Sequence, residues 1–185
     1  SSISSIFIPA SLIDLKEGWC YFAEKLTTIK VDPRNPRYSY LDDKMIICKR
    51  TETNENYDEI IFCRRDIKEI TIPSFIKIIG SYSFEYCKQL QRLDIPSNSE
   101  LQTIEKEAFS SSSISSIFIP PHVTKICEYA FSDCKQLQRL DIPSNSELQT
   151  IEKEAFSSSS ISSIFIPPHV TKICEYAFSD CKQLQ

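Results

Sequence analysis

Short apolar triplets of the form Φ-x-x-Φ-x-Φ, most of them closed by a proline, recur along the whole chain. They read Ile3/Ile6/Ile8, Leu26/Ile29/Val31, Ile67/Ile70/Ile72, Leu90/Leu93/Ile95, Ile114/Ile117/Ile119, Leu137/Leu140/Ile142 and Ile161/Ile164/Ile166. The last two members of each triplet alternate with one outward residue, the period of a strand with one buried face. Proline then ends the strand, where a missing N–H costs least. A second apolar run follows, as in Leu101/Ile104 and Val123/Ile126, and then an Ala-Phe pair at Ala108-Phe109, Ala130-Phe131, Ala155-Phe156 and Ala177-Phe178, with Ser83-Phe84 as a variant. Pro73, Pro96, Pro120, Pro143 and Pro167 are spaced 23, 24, 23 and 24 residues apart. A strand, a second short extended piece and a tight turn holding a buried Phe make one coil of a solenoid. No coil can bury its apolar face alone, but stacked neighbours share a continuous core. A helical repeat would need apolar periodicity over about 10–12 residues per helix, and the Pro and Ser punctuation leaves no room for two per unit.

The segment 87–138 is repeated letter for letter at 134–185, an offset of 47 residues, or two unequal coils. The opening SSISSIFIP also matches 112–120 and 159–167, so the chain begins and ends part-way through a repeat and reads as a fragment of a longer protein. The expected organisation is one solenoid over 1–185, with regular repeats over 73–185. Over 32–66 the pattern lapses. VDPRNPRYSYLDD is turn-rich, and KMIICKR and DEIIFCRR flank the polar TETNENY. That spacing predicts a turn and a β-hairpin inserted into the solenoid or capping it.

The stretches LQRLDIPSNSELQTIEKEAF and ISSIFIPPHVTKICEYAFSDCKQL resemble the BspA-like leucine-rich repeats, and IKVDPRNPRYSYLDDKMIICK resembles that family's insert, a VDPxNP turn followed by a hairpin. The resemblance covers essentially the whole chain. It implies a mainly β leucine-rich-repeat solenoid with one parallel sheet face and 23/24-residue coils. The family occurs in surface proteins of oral bacteria and of trichomonad parasites, so the resemblance also implies a cell-surface or extracellular parent that adheres to host cells or matrix. Departures are local. The family's Gly after V-x-x-I is kept only by Gly80, and Glu105, Cys127, Glu152 or Cys174 stands there elsewhere. The first unit has Trp19-Cys20 in place of Ala-Phe.

Composition narrows the function classes. With 2 Gly in 185 residues there is no phosphate-cradling Gly-rich loop. A net charge of −4 gives no electrostatic reason to expect nucleic acid, and no apolar run is long enough to span a bilayer. The 8 cysteines include a ladder at Cys87, Cys134 and Cys181, with Ser112 and Ser159 in the coils between. Rungs two coils apart are separated by about 10 Å, beyond disulfide reach, so these are expected to be buried small side chains. Cys127 and Cys174 follow the same rule. Cys48 and Cys63, on opposite arms of the expected hairpin, could face each other as a disulfide. No C-x-x-C occurs, and the two histidines, His122 and His169, are one turn position seen twice, so neither a metal nor a cofactor is expected. The serines fall at turn and outward positions, and no catalytic set is evident.

The outward strand positions carry the functional candidates. Phe7, Phe118 and Phe165 recur at one position, which Asp94 and Asp141 take in the coils between, with Arg92 and Arg139 two residues before each Asp. Phe118 should therefore lie between Asp94 and Asp141. An exposed aromatic flanked by Arg is the composition of a protein-binding hot spot; alternatively, Arg92 and Arg139 stack over Phe118 and cover it within the chain. The leading expectation is a non-enzymatic interaction module that binds a host surface or matrix protein, with a glycan as a further possible ligand. The alternative is a cytoplasmic leucine-rich-repeat scaffold, which unpaired cysteines would also suit.

Overall fold

The computed structural model describes residues 2–51 and 55–185, so residues 52–54 of the expected TETNENY turn lie outside it. The chain is built from short strands in the order β1 (Ser5–Ile8), β2 (Thr28–Val31), β3 (Tyr38–Leu41), β4 (Met45–Cys48), β5 (Glu59–Cys63), β6 (Glu69–Thr71), β7 (Ile78–Ile79), β8 (Arg92–Asp94), β9 (Thr103–Ile104), β10 (Ser116–Phe118), β11 (Lys125–Ile126), β12 (Arg139–Asp141), β13 (Thr150–Ile151) and β14 (Lys172–Ile173). No helix occurs among the described residues.

Each regular coil contributes to three ladders. The triplet strands form the first, with β6 on β8 and β10 on β12 in parallel register, and β8 packed on β10. Their middle residues point inward, so Leu93, Ile117 and Leu140 are buried while Arg92, Ser116 and Arg139 are exposed. The second apolar run forms the longest sheet, whose order is β14-β13-β11-β9-β7-β5-β4-β3.

The third ladder runs through the Ala-Phe turns. Phe84, Phe109, Phe131 and Phe156 each donate a backbone N–H to the Ala of the next coil, at 2.7–2.8 Å. The residues two before and two after each Phe donate likewise, as in Glu107 N–H to Glu128 and Ser111 N–H to Ser132. These flanking residues adopt left-handed backbone angles, Tyr82, Glu107, Tyr129 and Glu154 before the Phe and Tyr86, Ser111, Asp133 and Ser158 after it, as do Tyr176 and Asp180 around Phe178 in the last coil. A left-handed residue every fourth position turns the N–H groups of the turn toward the next coil. The cost of that conformation in a residue with a side chain, about 1–2 kcal/mol, is offset by bonds a relaxed turn could not make. Between the turns the rings stack, with centroids 4.9 Å apart for Phe84–Phe109, 5.2 Å for Phe109–Phe131, 5.1 Å for Phe131–Phe156 and 5.5 Å for Phe156–Phe178.

The 32–66 insert departs from the expected hairpin in two ways. It has three antiparallel strands, since polar YSYL forms β3 against β4, and β5 joins parallel β7, so the insert extends the long sheet. It is also a wall between two cores. Met45, Ile47, Ile60 and Cys63 face the regular coils, while Ile46, Cys48 and Phe62 face a separate core formed with Ile8, Cys20, Leu26, Ile29 and Tyr38. The unbroken apolar runs MIIC and IIFC carry this two-sided burial, because a strand buried on both faces loses its alternation. A register shift between Ile46 and Ile47 brings Phe62 opposite Ile46 and Ile60 opposite Ile47. The VDPRNP turn fastens the N-terminal pair β1–β2 to this wall. Buried Asn35 donates to the carbonyls of Pro9 and Leu12 at 2.7 and 2.8 Å, and its own carbonyl accepts the N–H groups of Arg37 and Tyr38 at 2.9 and 2.8 Å.

The register also settles the cysteines. Cys48 lies opposite Glu59, and Cys63 opposite Met45, so Cys48 and Cys63 do not face each other and both thiols are free. The expected inert ladder is a hydrogen-bonded one. Ser112 Oγ lies 3.5 Å from Cys134 Sγ and Ser159 Oγ 3.4 Å from Cys181 Sγ, and each of these thiols donates at 3.1 Å to the Phe carbonyl of the coil before it.

Two substitutions test the turn ladder. Phe131→Ala leaves a hole between two rings and should cost about 3–5 kcal/mol, read as a lower urea midpoint. Ser111→Gly, at a left-handed position whose side chain makes no hydrogen bond in the structure, should be neutral or raise stability by up to about 1 kcal/mol. A clear loss in Ser111→Gly would count against the strain reading.

Candidate functional site

The outward residues of β8, β10 and β12 form one surface. Phe118 lies in register with Asp141, and Ser116 with Arg139; on the neighbouring pair Glu69 faces Arg92 and Thr71 faces Asp94. Arg92, Asp94, Phe118, Arg139 and Asp141 therefore share the face. The arginines do not lie over Phe118. Arg92 Nε meets Asp94 at 2.9 Å and Arg139 Nε meets Asp141 at 2.8 Å, each along its own strand. Both pairs are exposed, where ion pairs contribute little, so the guanidiniums can turn toward a partner at small cost. A shallow groove of about 270 Å³, lined by Lys44, Glu69, Thr71, Arg92 and Asp94, runs along its N-terminal side.

The phenylalanines are not equivalent. Phe118, flanked by strands on both sides, is half-buried. Phe165 is 52% exposed and lies beyond β12 outside any assigned strand. Phe7 is 58% exposed and pairs with Lys30 in the separate β1–β2 sheet, and β2 packs on β3 rather than β6. Phe7 does not continue the row of the other two. Its sequence position is that of Phe118, but the wall intervenes.

His122 Nδ1 lies 3.1 Å from Glu147 and His169 Nδ1 3.0 Å from the Ser146 carbonyl, so both imidazoles meet adjacent coils at the turns. Among the described residues no three His, Cys, Asp or Glu side chains converge as a metal site, and no helix is long and apolar enough to cross a membrane.

One cluster was not legible from the repeat. Arg65, 3% exposed, donates to the carbonyls of Ser83 and Tyr82 at 2.9 and 3.1 Å, and its guanidinium stands 4.4 Å over the Phe62 ring. Glu85, 1% exposed, accepts the Phe22 N–H at 3.2 Å. Together they tie the N-terminal core to the first regular coil. The only sequence signal is the Arg64-Arg65 pair directly after an apolar strand. Burial pushes the Glu85 carboxyl up to about 7, against the downward pull of the Phe22 N–H and of Arg65.

The three-ladder coil defines the class: this is a leucine-rich-repeat solenoid, a fold whose extended surfaces generally serve as interaction scaffolds rather than as catalytic sites. The chain belongs to the BspA-type leucine-rich repeat family, whose repeat model matches residues 55–185 in six copies. Its fold is similar to that of the pneumococcal vaccine antigen PcpA, at 25% identity and a TM-score of 0.63 over 78% of this chain and 36% of that one. A leucine-rich repeat protein from Eubacterium ventriosum matches at 24% identity and a TM-score of 0.67, covering 97% of this chain and 59% of its own. The leucine-rich repeat protein of T. pallidum matches at 23% identity and a TM-score of 0.60, over 83% and 68% respectively. The chain thus spans about a third of PcpA and under two thirds of the Eubacterium protein. No match was found among curated proteins.

The Glu85 junction yields a pH prediction. Its folded-state value lies above the ordinary glutamate value of about 4.3, so the folded protein holds this proton more tightly than the unfolded chain does. The stabilisation is complete below that value, declines as pH rises, and is lost above about 7. Between pH 5 and 8 the wild type should lose roughly 3 kcal/mol relative to Glu85→Gln. Parallel urea-midpoint profiles for the two proteins would contradict this.

Proposed function

We propose that this chain is the repeat region of a surface protein and binds a protein of a host cell or extracellular matrix through the face of β8, β10 and β12. The observation that carries the reading is the meeting of half-buried Phe118 with Arg92, Asp94, Arg139 and Asp141. An aromatic anchor among charges held only by weak exposed pairs is the make-up of a protein-binding hot spot. Phe165 extends the face toward the C-terminal end. Membership of the BspA-type family and likeness to PcpA, a pneumococcal vaccine antigen, support a surface location. A glycan partner would use the same aromatic residues by stacking.

The eight free cysteines favour a second reading, an intracellular scaffold, because unpaired thiols persist in reducing compartments. Antibody labelling of unpermeabilised cells that make the parent protein separates the two: surface staining supports the first, and staining only after permeabilisation supports the second.

For the face itself, the labelled chain is titrated onto epithelial cells and immobilised matrix proteins. Phe118→Ala and Phe165→Ala combined with Arg92→Glu and Arg139→Glu should weaken binding by at least about 100-fold, since hot-spot truncations each cost about 2 kcal/mol or more. Undiminished binding by the correctly folded variant would overturn the assignment.

A further inference from the structure

The chain's two glycines lie beside one pocket. Gly18 stands on the loop of the first unit with a left-handed φ of 74° and lines a cavity of about 170 Å³. Trp19, Tyr38, Cys48, Glu59 and Glu105 also line it, where that loop meets the wall and the regular coils. Gly80 underlies Glu59: a Cβ there would come within 2.8 Å of Glu59 Oε1 and of the Ile60 carbonyl oxygen. Glycine at this position is therefore what lets the Glu59 carboxylate lie across the sheet.

Glu59 and Glu105 face each other without an ion-pair partner among the described residues. Cys48 Sγ is 3.5 Å from Glu59 Oε2, and Ser81 Oγ donates to Glu105 Oε2 at 3.2 Å. Burial and the charge of Glu105 push the Glu59 carboxyl above its usual range, and Arg50 offsets this in part without contact. The tandem repeat provides an internal comparison. Glu152, the letter-for-letter copy of Glu105, is paired with Lys125 at 2.9 Å on the preceding coil. The position corresponding to Lys125 beneath Glu105 is Ile78, which pairs with Thr103 as Lys125 does with Thr150. Glu105 thus lacks the cation its copy has. The nearby cations are engaged elsewhere: Lys16 pairs with Asp14, and Arg37 reaches the Arg50 carbonyl.

We propose that this pocket binds the cationic side chain of a lysine or arginine residue from a peptide partner, between the carboxylates of Glu59 and Glu105 and against Trp19. The cation takes the place that Lys125 fills beside Glu152, and the indole supplies a cation–π wall. At 170 Å³ the cavity suits one side chain rather than a drug-sized ligand, whose pockets run to about 300–1,000 Å³.

Trp19 is the chain's single tryptophan, so its fluorescence reports the pocket directly. The intact chain is titrated with acetyl-lysine methylamide, acetyl-arginine methylamide, the neutral acetyl-norleucine methylamide and free butylamine, with calorimetry as a second readout. The capped lysine and arginine should saturate and norleucine should not. Glu59→Gln and Glu105→Gln should each weaken binding by about 10-fold or more, as expected for loss of a charge-assisted hydrogen bond, while Glu152→Gln should leave it unchanged. Should Glu59→Gln perturb folding, Glu105→Gln, at a half-buried position, still decides. Equal binding of norleucine, an unchanged Glu105→Gln, or an equal loss in Glu152→Gln would overturn the cation site. Butylamine binding as tightly as capped lysine would overturn the peptide assignment.

Discussion

Everything regular in this structure depends on one requirement: each coil must set its Phe ring directly on the ring of the coil before it. The rings of Phe109, Phe131, Phe156 and Phe178 are parallel to within 5° and about one coil apart. That spacing holds only if the turn carrying each Phe is bonded to its neighbour as tightly as the strands are. The turn meets this by adopting left-handed angles on both sides of the Phe, at Tyr, Glu, Ser and Asp residues rather than at glycine. A chain with 2 glycines in 185 residues thus supports ten such flanking turn residues, and for the eight that have a following coil that coil supplies the acceptors for their N–H groups.

The same requirement explains why exact duplication is tolerated and where it stops being neutral. Inside the array the second copy meets the surfaces the first met, so Ser112–Cys134 recurs as Ser159–Cys181. Where the array meets the wall, identical residues acquire different surroundings. Glu105 and Glu152 share a sequence context but only Glu152 has a lysine across the ladder. Phe7 and Phe118 share a motif but lie in different sheets. Unusual chemistry in this chain gathers at the break, at Arg65, Glu85, Glu59 and Glu105, rather than along the repeat.

That contrast also decides what the amino-acid order could tell. The triplets, the Ala-Phe turns and the 23/24 spacing are local patterns repeated many times, and repetition makes them legible. The pairing of Phe118 with Asp141 followed from counting within coils. The insert was harder. YSYL has no apolar alternation and sits in a turn-rich stretch, yet it forms β3 because Tyr38 can bury its ring while its hydroxyl accepts the Leu15 N–H at 2.8 Å. The two-sided wall was written in the unbroken runs MIIC and IIFC, but an isolated hairpin and a buried wall look alike until a second core is known to exist. Arg65 and Glu85 depend on contacts across about 20 to 60 positions of sequence, and no periodic pattern announces them.

Stability is transmitted coil to coil along the Phe column and stops at the wall. Residue-resolved hydrogen exchange on wild type and Phe131→Ala distinguishes this from a single cooperative unit. Protection should fall at the Phe109 and Phe156 amides, on either side of the hole, while amides of the β1–β2 pair in the other core keep theirs. An equal loss across the whole chain, β1 and β2 included, would contradict it and make the two cores one cooperative unit.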